Sequence, residues 1–77
     1  MPNGCDRLYS KWSTLERMAE IEKEMAEGYR EHAADTFFSP DHRRSFRNKA
    51  TKHSVAATKL RAQAKILGRK YRKCIGR

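Results

Sequence analysis

The residues with the plainest chemistry in this chain are cations. His42-Arg43-Arg44-Ser45-Phe46-Arg47-Asn48-Lys49 sets five basic side chains and an asparagine in one short run. Arginine forks bind phosphate oxygens in pairs, and asparagine can reach the edges of bases. A second group, Arg61, Lys65, Arg69 and Arg72, continued by Lys70 and Lys73, recurs every three or four residues. On a helix that spacing draws one cationic line, the form a phosphate-tracking surface needs.

Other chemistry is thinly represented. His32, His42 and His53 are the imidazoles of the chain, and no nucleophile stands in a pattern that predicts a catalytic constellation. His53 falls on an apolar stripe, where a histidine bonded to a neighbour such as Glu22 is the expectation. Two cysteines, Cys5 and Cys74, are too few for a structural zinc site and too sparse for a secreted disulfide scaffold. They predict free thiols in a reducing, cytoplasmic setting, with a disulfide or an inter-chain bridge as the alternative. The expectation is therefore no catalytic residue, no metal and no cofactor.

The cations are carried by a strong helical pattern. Phe46, Ala50, His53, Ala57, Leu60, Ala64, Leu67, Tyr71 and Cys74 follow alternating spacings of four and three. Earlier in the chain Leu8, Trp12, Leu15, Ala19, Ala26, Tyr29 and Ala33 follow the same rule, with Glu22 as the interruption. Met1 to Cys5, containing Pro2, Asn3 and Gly4, is expected to fray. The first helix starts at a cap near Asp6 or at the Ser13-Thr14-Leu15-Glu16 box, and the longer stripe favours the earlier start. Ser39-Pro40-Asp41 is a helix start with a serine cap and proline in the first turn.

These signals predict an all-α fold: one domain over 1–77, with helix 1 at about 7–34, a turn at about 35–39 and helix 2 at about 40–74. Each helix should be on the order of 45 Å long. A connection so short makes the helices antiparallel neighbours, pairing residues whose numbers sum to about 79, such as Trp12 with Leu67 and Cys5 with Cys74. Met18, Ile21 and Met25 widen the first apolar stripe, while Val55, Ala62 and Ile66 form a small ridge outside the second. Together they predict association of two hairpins, a homodimer in the form of a four-helix bundle.

Charge divides the chain in two. The 77 residues carry a net charge of +9, yet residues 1–41 hold five basic and nine acidic side chains, and residues 42–77 hold thirteen basic and none acidic. Glu16, Glu20, Glu24, Glu27 and Glu31 form an acidic ridge on the first helix. Such a balance suits a polyanion. The expected function is non-enzymatic binding of DNA or RNA phosphates through Arg43, Arg44, Arg47, Lys49, Arg61, Lys65, Arg69, Arg72 and Lys73. The competing expectation is a small protein-binding inhibitor or adaptor, of phage or plasmid origin, that docks by charge complementarity. A membrane role is set aside on the premise that the seam consumes the large apolar residues.

Overall fold

The structure, a computed structural model, describes residues 4–76. Two helices, α1 (Gly4–Ala34) and α2 (Pro40–Gly76), pack against each other as an antiparallel hairpin. The rod measures 55 × 19 × 13 Å. Helix α1 begins ahead of both caps considered in the sequence, so the Ser13 box lies unused inside it. The fraying expected of Met1 to Asn3 lies outside the described residues.

The turn is built from local polar chemistry. The Asp35 N–H donates to the His32 carbonyl at 3.1 Å, and the Asp35 carboxylate accepts from the Phe37 N–H at 2.9 Å. This is an aspartate turn that ends one helix and redirects the chain. Ser39 then starts α2 as a cap, its Oγ accepting from the His42 N–H at 3.3 Å and its carbonyl from the Arg43 N–H at 2.9 Å. Proline follows in the first turn, where its missing N–H costs nothing.

The fully covered positions among the described residues are small. They are Ala19, Ala26 and Ala33 on α1, and Ala50, Ala57, Ala64 and Gly68 on α2. The six alanines recur every seven residues, so the same side of each helix returns to the seam every two turns. A second line, with Leu8, Leu15, Glu22 and Tyr29 on α1 and Phe46, His53, Leu60 and Leu67 on α2, is half-buried. Small side chains at the centre let the backbones approach, and the larger ones close over them from one side.

Observed contacts straddle the expected register. Cys5 meets Cys74 on it, Glu22–His53 and Tyr29–Phe46 fall to one side, and Arg30–Ser54 and Trp12–Tyr71 fall to the other. One pairing differs in detail. Trp12 lies on Gly68 rather than on Leu67, so close that a Cβ at Gly68 would stand 3.1 Å from the indole Nε1. Glycine supplies the flat floor the ring needs, a role that an apolar-spacing pattern passes over.

Aromatic groups brace both ends. Tyr9, Trp12 and Tyr71 cluster with ring centroids 5.3 to 6.0 Å apart at the open end. At the turn Phe38 packs on Phe46 at 5.0 Å and on His32 at 5.6 Å, while Phe37 stays 85% exposed.

The open end is also closed covalently. Cys5 and Cys74, expected as free thiols, form a disulfide with Cα atoms 5.7 Å apart. The antiparallel register brings their backbones within bridging distance. The cytoplasmic setting inferred from unpaired cysteines loses that support, since disulfides belong to oxidising compartments. No helix is long and apolar enough to cross a membrane.

Candidate polyanion interface

The seven-residue repeat defines the surfaces of the hairpin. One broad face carries the residues just after each buried alanine and three before it: Glu16, Glu20, Glu27 and Arg30 on α1, and Arg47, Ser54, Arg61 and Lys65 on α2. The opposite face carries those just before and two after: Met18, Ile21 and Met25 on α1, and Lys49, Lys52, Lys59 and Ile66 on α2. The back of α2 presents Asn48, Val55, Ala62 and Arg69. In an antiparallel pair, like flanks lie side by side.

Contacts bear out this sidedness. On the first face a groove of about 380 Å³ is lined by Trp12, Glu16 and Glu20 from α1 and by Arg61, Lys65, Gly68 and Arg72 from α2. Arg30 Nη2 donates to Ser54 Oγ across the same side. On the opposite face Lys11, Thr14 and Leu15 share a hollow with Leu67, and the Lys49 ammonium sits 5.6 Å from the Tyr29 ring centre.

The nine cations named from the sequence therefore do not share one surface. Arg61, Lys65 and Arg72 line the groove, Arg44 and Arg47 lie on the same face nearer the turn, Arg69 points away from the seam, and Lys49 and Lys73 belong to the opposite face. Arg43 is half-buried, and its Nε donates to the Ala33 carbonyl at 2.8 Å. There it satisfies a carbonyl in the last turn of α1 and favours the negative end of that dipole. The other eight are exposed, and among the described residues none of them has a carboxylate within 4.0 Å.

Carboxylates are distributed unevenly as well. Glu16 and Glu20 look across the groove at Arg61 and Lys65, so that face is dipolar. No Asp or Glu stands at the outer positions of the opposite face; its one carboxylate among the described residues is Glu22, half-buried on the line of Leu15 and Tyr29 and paired with His53. It also holds cations outside the nine: Arg7 and Lys11 on α1, and Lys52, Lys59 and Lys70 on α2. Only folding brings the two helices' contributions together. A cue was present in the sequence, since no acidic residue stands at the corresponding seven-residue positions.

The apolar residues expected to join two hairpins are exposed: Met18 45%, Ile21 49%, Met25 41%, Val55 48% and Ile66 53%. They form no common patch. Met18, Ile21, Met25 and Ile66 lie on the lysine-rich face opposite the groove, while Val55 and Ala62 lie on the back of α2. The premise that the seam consumes the large apolar side chains is thus corrected. With alanines and a glycine at the centre, the helices pack too closely to take these residues in.

The histidines are engaged structurally. His53 Nδ1 lies 2.5 Å from a Glu22 carboxylate oxygen, pairing the two polar interruptions of the seam. Its ring also stacks on Tyr29 at 5.5 Å. His42 contacts the Ser39 cap at 3.2 Å, and His32 packs on Phe38 and Phe46. Among the described residues no group of His, Cys, Asp and Glu is placed to hold a metal ion. In comparisons with known proteins, the chain matches no family model, no curated protein and no solved structure.

Proposed function

We propose that this chain is a non-enzymatic nucleic-acid-binding protein that lays α2 edge-on along a phosphate backbone. The observation that supports this most is the outer arc of α2, which carries Arg44, Lys65, Arg69, Arg72 and Lys73 with Asp41 as its sole acidic residue. Arg44 to Lys73 spans about 43 Å of helix, more than one turn of duplex. Approached from this edge, phosphates meet cations first, and the carboxylates of α1 stand behind a full helix. Arg43 serves the turn in this reading and is not a phosphate ligand.

Anisotropy of labelled duplex DNA, single-stranded RNA and structured RNA across a salt series tests the proposal. Five neutralised phosphates give a log–log slope of about −4 to −5. Absence of binding at low salt sinks it.

One observation favours a protein partner instead. The dipolar groove, with Glu16 and Glu20 opposite Arg61 and Lys65, matches a polypeptide of mixed charge, as the inhibitor or adaptor reading requires. Replacing Glu20, Glu24 and Glu27 by glutamine separates the two. Nucleic-acid binding is unchanged or stronger under the proposal, whereas a protein complex weakens. The four-helix bundle is not part of the proposal, because stacking two copies on Met18, Ile21 and Met25 would set the lysines of α2 against their own copies.

A further inference from the structure

Two independent features coincide on the face opposite the groove. The first is electrostatic. Lys49, Lys52, Lys59, Lys70 and Lys73 line its α2 half, Arg7 and Lys11 stand at one end of its α1 half, and the one carboxylate on this side, Glu22, is half-buried in the seam and paired with His53. The second is apolar. Met18, Ile21 and Met25 occupy the middle of the α1 half, 41% to 49% exposed, and Ile66 stands apart from them on α2 beside Lys70 and Lys73, 53% exposed.

The occupant must satisfy both features. A second copy fails on charge, since stacking the two faces brings seven cations from each copy together with Glu22, already paired with His53, as the carboxylate of each. A nucleic acid satisfies the lysines but offers only poor contact for four aliphatic and thioether side chains. An anionic bilayer surface satisfies both: lysine stems lie along the interface while their ammonium groups reach lipid phosphates, and the apolar side chains enter the headgroup–acyl boundary. Neither helix can cross a bilayer, and the 55 Å rod lies along the surface.

We infer that this lysine-rich face seats the hairpin flat on an anionic phospholipid surface, with Met18, Ile21, Met25 and Ile66 inserted and the lysines on the headgroup phosphates. The arc proposed to contact nucleic acid shares Lys73 with this face, but it leaves Met18, Ile21 and Met25 untouched. The two readings can therefore fail separately.

Co-sedimentation of the oxidised chain with phosphatidylcholine vesicles, with and without phosphatidylglycerol, tests this. Binding is expected on the phosphatidylglycerol vesicles alone. Replacing Lys52 and Lys59 by glutamine should lower the partition coefficient about 25-fold, at about fivefold per lysine. The triple variant Met18→Gln, Ile21→Gln, Met25→Gln keeps every charge and should lose about tenfold or more. Circular dichroism checks that both variants keep their helicity, and the nucleic-acid anisotropy of the triple variant should stay at the wild-type value.

Insertion has its own readout, since Ile21→Trp should shift to shorter emission wavelength on anionic vesicles beyond any change from Trp12. The inference is overturned by absence of binding to phosphatidylglycerol vesicles. It is equally overturned if the folded triple variant binds as tightly as the wild type. In that case the face is a purely ionic platform, and loss of nucleic-acid binding in the Lys52, Lys59 variant would assign it to nucleic acid.

Discussion

Reducing the Cys5–Cys74 bond should come close to unfolding this protein. The bridge ties residues 69 apart in sequence, nearly the whole chain. In the chain-entropy account, closing a loop of that size removes freedom from the unfolded state worth about 4 kcal/mol at room temperature. A core in a chain this short supplies only about 3–5 kcal/mol, and here the fully covered positions are alanines and one glycine. Losing the bridge therefore removes most of the margin. At about 4–8 °C per kcal/mol for a domain of this size, the melting temperature should fall by about 20–30 °C.

The measurement is a thermal melt by circular dichroism with and without a phosphine reductant, repeated on the Cys5→Ser, Cys74→Ser double variant. Near-ultraviolet signal from Tyr9, Trp12 and Tyr71 reports whether the open end separates before the rest. A fall of less than about 5 °C refutes the reasoning, because the seam would then supply stability well beyond what its small side chains can account for.

Further outcomes follow from the packing. Ala57→Leu forces a large side chain between closely spaced backbones and should cost about 1–3 kcal/mol in urea melts, whereas Ala62→Leu on the exposed back of α2 should cost almost nothing. Gly68→Leu should push Trp12 off its floor, seen as a red shift of its emission together with a lower melting temperature. Ser39→Ala removes the cap of α2 and should cost about 1 kcal/mol in the same urea melts. Under the proposed function, changing Arg44, Arg69 and Arg72 to glutamine should reduce the salt slope of nucleic-acid binding by about 3.

The periodic spacing in the sequence already implied two long helices, their antiparallel order and the serine cap of α2, because each depends on local preference and on residues close in the chain. The Glu22–His53 pair was legible for a related reason: a lone polar residue on each stripe has one place to find a partner, and the register supplies it. Tertiary structure decided what depended on how closely two backbones approach. It selected Gly68 as the floor for Trp12 and committed Arg43 to the carbonyl of Ala33.

It also decided the surfaces and the bridge. Residue order shows only that the first half is acidic and the second basic. Packing two helices side by side sorts those charges into a dipolar groove and a lysine-rich face, each built from both halves of the chain. Cys5 and Cys74 were neighbours in the register read from the sequence, yet that register left free thiols and a bridge both open. A covalent bond between chain ends depends on distance in space, and that distance is set by the full length of both helices together.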